Sequence, residues 1–128
     1  MPELPEVETI KNQLNRVLVG RRIQKIEVFL PKIVKTPLPQ FKKAVGGSII
    51  KKIRRRAKIL IFELSSGWSM LFHLKLTGQL IYQKKDSPQK PHFNKHTHLI
   101  FYLSDKAKLL FNDVRQFGYI KIIKTAEI

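Results

Sequence analysis

The chain has 128 residues, the size of one compact domain; 43% are hydrophobic, enough for a buried core, and 25 Lys plus Arg against 9 Asp plus Glu leave a formal charge of +16. That excess calls for a polyanionic partner, and nucleic acid fits better than a membrane surface because no long basic amphipathic helix carries the charge. The lack of cysteine excludes disulfides and thiolate zinc sites and suits a reducing cytoplasm, while the acidic N-terminal stretch excludes a secretory signal and no apolar run approaches the roughly 18–20 residues of a membrane span.

From Pro5 onward Val7, Ile10, Leu14, Val17 and Leu18 recur at steps of three and four. Glu6 and Glu8 fall in the first turn, Arg16 near the end and Gly20 beyond it, which predicts an amphipathic helix. A shorter helix is expected from Pro39 to Val45, stopped by Gly46 and Gly47. The period then becomes two, at Ile26, Val28 and Leu30, from Lys58 to Leu64, and from Trp68 through His73 and Lys75 to Leu76. ELSSGWSM predicts one hairpin turn, and YLSDKAKLLF another between strands at Leu99–Leu103 and Lys108–Phe111; the polar stretch from Tyr82 to His96 predicts a surface loop. The expected fold is α+β, mainly β: a two-layer antiparallel β-sandwich with a long N-terminal helix, forming a single domain over residues 1–128.

Several residues could carry chemistry. Removal of Met1 would expose the secondary amine of Pro2, and an α-amino group titrates near ~8, roughly two to three units below lysine, so part of it is nucleophilic at neutral pH. Attack on an aldehyde-like carbon would give an iminium ion. The adjacent Glu3 is a candidate general acid or base, whereas Glu6 and Glu8 are explained by the helix dipole alone. KKIRRRAK places six basic residues in positions 51–58; of these, Lys58 enters an apolar strand, where an ammonium group points to a phosphate or an active-site role. His73 shares a strand face with Lys75. His92, His96 and His98 lack thiolate or clustered carboxylate companions, so phosphate contact is expected of them and no metal site is predicted. In FNDVRQFGYI, Arg115 and Phe117 stand two apart at a turn, suited to entering a duplex as hydrogen-bond donor and wedge, although turn chemistry accounts equally well for Asp113 and Gly118.

PELPEVET at the start, RRAK before an apolar strand, HLKLTG and DVRQFG stand in the order and approximate spacing of the N-terminal domain of bacterial formamidopyrimidine-DNA glycosylases, which the chain resembles over its whole length. The resemblance implies base-excision repair of oxidised purines, 8-oxoguanine and formamidopyrimidines, by a bifunctional glycosylase and abasic-site lyase acting on damaged double-stranded DNA. It implies Pro2 as the nucleophile at C1′, Glu3 as the proton-transfer group and Lys58 as a phosphate contact supporting β-elimination. His73 and His96 would touch the DNA backbone. Leu76, Arg115 and Phe117 would fill the gap left by the flipped-out nucleotide, whose extrusion costs a few kcal/mol. Leu76 stands where many members have methionine, and Gln116 where many have a second basic residue. Members continue into a helical domain with a helix–two-turn–helix and usually a zinc finger; neither lies in these 128 residues, so the expectation is a cytoplasmic monomeric catalytic domain without a cofactor of its own. The alternatives are a non-catalytic DNA-binding module of the same descent and an endonuclease VIII-like enzyme for oxidised pyrimidines. A basic RNA-binding β-domain is disfavoured because the sequence offers no clustered surface aromatics.

Overall fold

The computed structural model describes residues 3–85 and 93–128; Met1, Pro2 and the stretch 86–92, with His92, lie outside the described residues. Leu4–Leu18 form helix α1, whose proline in the first turn needs no N–H partner, and it buries Val7, Leu14 and Leu18. Strand β1 (Ile23–Val28) and a 3-10 turn at Pro31–Ile33 lead to helix α2 (Leu38–Val45), which buries Phe41, Ala44 and Val45. Among the described residues seven strands follow: β2 (Ile50–Arg56), β3 (Ile59–Leu64), β4 (Trp68–His73), β5 (Gly78–Gln83), β6 (Thr97–Leu103), β7 (Lys108–Asp113) and β8 (Tyr119–Lys124). A 3-10 turn at Thr125–Glu127 ends the chain's regular structure.

The strands form two four-stranded antiparallel sheets, ordered β1-β6-β7-β5 and β2-β3-β4-β8. Their inner faces meet on Phe72, whose ring lies 4.8 Å from Phe62 in its own sheet and 6.1 and 6.2 Å from Phe101 and Phe111 in the other. All four rings are fully buried, each stabilising the sandwich by about 1.5–3 kcal/mol relative to exposure. Helix α1 covers the open edge of β2. There the Asn15 side chain behaves as a short strand: its amide donates to the Ile53 carbonyl at 2.7 Å and its oxygen accepts the Ile53 N–H at 3.2 Å. Arg55 donates to Glu8 at 2.8 Å, so α1 seals an edge whose backbone groups would otherwise be open to pairing.

The expected architecture holds, and four local expectations change. His98 does not face phosphates: it is buried, and its Nε2 hydrogen-bonds the Asp113 carbonyl oxygen at 2.7 Å. Lys58 is not in a strand: register pairs Arg56 with Ile59, leaving Ala57 and Lys58 as a two-residue turn. Lys75 does not share a strand face with His73, because β4 ends at His73 and Lys75 takes a left-handed conformation, φ 55°. The surface loop begins later than Tyr82, since β5 runs through Gln83. The turns at Ala57 and Lys75 carry no glycine, proline, asparagine or aspartate at the left-handed position, so the alternation of apolar side chains ran on unbroken in the sequence.

Candidate active site

Three turns converge near one end of the sandwich, and each is bent by a non-glycine residue in the left-handed region. Ala57 (φ 51°) precedes Lys58, Lys75 (φ 55°) precedes Leu76, and Gln116 (φ 61°) precedes Phe117. Such a conformation costs about 1–2 kcal/mol per residue, and it persists here because neighbouring contacts hold each turn. Its consequence is that Leu76 and Phe117 turn outward: they are 45% and 54% exposed, large for apolar side chains in a domain with a closed core.

Asp113, at the end of β7, holds two of the turns together. Its carboxylate is buried, accepts the Thr77 hydroxyl at 2.5 Å and the Arg115 N–H at 3.2 Å on one oxygen, and accepts the Gly118 N–H at 2.7 Å on the other. The Thr77 hydroxyl oxygen in turn accepts the Arg115 N–H at 3.1 Å. Gly118 must be glycine for this packing, since a Cβ there would stand 2.8 Å from the Asp113 carboxylate, 2.9 Å from the Phe111 ring and 3.0 Å from the His73 carbonyl. With the loop fixed, the Arg115 guanidinium lies 5.3 Å from the Phe117 ring centre, within cation–π range, so the two present themselves as one unit.

His73 closes the group from β4. Its ring stacks on Tyr119 at 5.5 Å, and its Nδ1 accepts the Lys75 N–H at 3.2 Å. That acceptor role leaves the proton on Nε2, where the neutral ring can donate to a phosphate oxygen. Burial, and then the positive charges of Lys75 and Lys58, hold the His73 imidazole below its ordinary range. Glu3 occupies the N-cap of α1 in an extended conformation, with its carboxylate exposed and 3.8 Å from the Lys58 ammonium. Beside them a groove of about 610 Å³ opens between α1 and β5, lined by Glu6, Ile10, Leu76, Gly78, Leu80 and Val114 among others. His96, half-buried before β6, is brought in through its backbone, whose carbonyl accepts the Asp113 N–H at 3.0 Å. Pro2 lies outside the described residues, one position before Glu3. Among the described residues no group of three or more His, Asp or Glu is placed to hold a metal.

A profile of the formamidopyrimidine-DNA glycosylase N-terminal domain matches residues 1–120. The chain belongs to that family. It is 42% identical over 127 residues to the formamidopyrimidine-DNA glycosylase of Lactiplantibacillus plantarum, covering 99% of this chain and 45% of the relative. It is 46% identical over 119 residues to that of Carboxydothermus hydrogenoformans, covering 92% and 43%. Crystal structures of the Lactococcus lactis Fpg, one with DNA containing Fapy-dG and one with DNA containing an abasic site, each superpose with a TM-score of 0.87 at 38% identity, over 98% of this chain and 45% of theirs. The chain thus spans about 45% of the length of the relatives it matches.

Within this glycosylase-family domain, the structure gathers Glu3, Lys58, His73, Leu76, Arg115 and Phe117 through the contacts above. The sequence reading missed Thr77 and Tyr119 and gave Asp113 only a turn role. A signal for Asp113 was present: an aspartate two before an arginine and five before a glycine is a spacing that lets one carboxylate collect several loop N–H groups.

Proposed function

We propose that this domain is the catalytic, DNA-facing part of a bifunctional DNA glycosylase and abasic-site lyase that removes oxidised purines. The observation that carries the reading is the joint presentation of outward Leu76 and the Arg115–Phe117 pair on turns locked by Asp113, beside Glu3 and Lys58. A wedge and plug of this kind would occupy the space of an extruded nucleotide and offset the cost of unstacking it. The Arg115 guanidinium would then face the orphaned partner base, with donors that suit base edges in a groove.

In the reaction, the Pro2 nitrogen, freed of Met1, forms a bond to C1′ while the glycosidic bond breaks. The base leaves with that electron pair and takes a proton. Glu3 protonates the sugar ring oxygen as the C1′–O4′ bond opens, giving an iminium ion. Loss of the C2′ proton expels the 3′ phosphate, a second elimination expels the 5′ phosphate, and hydrolysis of the imine returns the amine. Lys58 places positive charge next to Glu3, where a phosphate of the attacked nucleotide can be held, and His73 donates from Nε2 to the backbone.

The same reading makes the partner damaged double-stranded DNA, approached by a cytoplasmic monomer. It leaves the domain without its own cofactor, the family's zinc finger lying outside the N-terminal domain. Incision of a duplex with one abasic site tests it: the chain with a free Pro2 should leave phosphates on both flanking ends, and a chain acetylated at the N-terminus should leave the strand whole. Retained duplex binding with no incision by the free Pro2 form would favour a DNA-binding module instead.

A further inference from the structure

The outer face of the β1-β6-β7-β5 sheet carries a second groove that shares no residue with the one beside Leu76. Cross-strand register sets Lys25, Tyr102 and Lys108 in one row and Glu27, Ile100 and Leu110 in the next. The Lys25 and Lys108 ammonium groups lie 5.4 and 5.6 Å from the centre of the Tyr102 ring, and the Tyr102 hydroxyl donates to Glu27 at 2.5 Å. Phe29 and Phe93 also line the groove, 43% and 54% exposed and packed edge to face at 5.4 Å, around a volume of about 350 Å³. The sequence offered no such cluster because 64 positions separate the two rings; the fold brings them together. Along β7, Lys108 is five residues from Asp113, roughly 17 Å of extended chain, so the lysine end stands well away from the turns that present Leu76 and Phe117.

Two exposed rings beside two lysines on a chain of formal charge +16 are the ingredients of a stacking platform with a phosphate track. We propose that this face is a second DNA site, which takes an unpaired nucleotide of a single-stranded segment: its base against Phe29 and Phe93, its flanking phosphates at Lys25 and Lys108. The polar groups of Glu27, Tyr102 and Gln83 line the same groove and suit the edges of a base. A peptide fits less well, because the floor of the groove is made by the two central strands, β6 and β7, whose backbone groups are spent in the ladders on both sides. The site is independent of the elimination chemistry and stands or falls separately from it.

Fluorescence anisotropy with a short labelled oligothymidylate, at low salt, tests the assignment. Phe29→Ala and Phe93→Ala should each weaken oligothymidylate binding roughly ten-fold while leaving affinity for a duplex with an abasic-site analogue unchanged; both side chains are surface-exposed, and circular dichroism checks that the fold is kept. Phe117→Ala should do the reverse. Unchanged oligothymidylate affinity in both phenylalanine variants would overturn the proposal, as would a loss that follows Phe117→Ala instead. Tighter binding of an acidic aromatic peptide than of oligothymidylate, abolished by the same two substitutions, would give the face to a protein partner and also overturn it.

Discussion

His73 is where the electrostatics of the site are most exposed to measurement. Its ring is half-buried, takes a hydrogen bond on Nδ1 and lies near two ammonium groups, all of which favour the neutral form over the imidazolium. Its midpoint, followed by NMR of the imidazole resonances, should therefore lie below the ordinary 6.5. Lys58→Gln, which removes one of the repelling charges, should move it upward; no movement would mean that Lys58 does not face the ring. Because the folded value is depressed, the neutral ring contributes stability that is present above the unfolded value and is lost as pH falls through the folded one, so acidification through that range lowers the stability of the fold. A second residue-scale test concerns Thr77, whose hydroxyl joins the Leu76 turn to the Arg115 loop. Thr77→Val keeps the shape and deletes the joint. It should cost about 1–3 kcal/mol in denaturant unfolding, since the Arg115 N–H and the Asp113 carboxylate each lose a partner, and should weaken binding to gapped duplex more than to intact duplex. Equal loss on both duplexes would count against a role for the joint in presenting the inserted side chains.

At the scale of elements, the β2-β3 hairpin shows what a sequence does and does not disclose. Its alternating pattern identified the strands, but the Ala57–Lys58 turn went unseen because the left-handed position is filled by alanine, a residue that turns do not favour. The same disguise hid the end of β4 at Lys75, whereas the turn around Gln116 was legible from Asp113 and Gly118. Ala57→Gly should relieve the first of these, raising stability by roughly 1 kcal/mol in thermal unfolding; a loss of stability would mean that the turn is not under backbone strain. Helix α1 was readable to within a residue, since its apolar steps, first-turn proline and trailing glycine agree. The site was readable in part. Exposed, chemically distinctive residues such as Arg115 and Phe117 stood out, whereas Asp113 and Thr77 act through hydrogen bonds across 36 positions, a relation that no local pattern records. The outer aromatic groove was unreadable for the same reason, because Phe29 and Phe93 meet only after β1 and β6 pair.

Over the whole molecule, charge and chemistry are separable. The excess of Lys and Arg accounts for attraction to a polyanion, and affinity for duplex should fall by about 0.9 log unit per log unit of salt for each phosphate neutralised. Attraction alone would make a binding module. What distinguishes an enzyme is a covalent step at the N-terminus, one residue before a carboxylate already held 3.8 Å from an ammonium group. Borohydride reduction during incubation with an abasic-site duplex, followed by intact mass and peptide mapping, reads that step directly. The account predicts a chain lacking Met1, joined to one oligonucleotide through the peptide that begins at Pro2, and no adduct when the N-terminus is blocked. A chain with free Pro2 that binds the duplex but yields no adduct, or an adduct carried on Lys58, would contradict it.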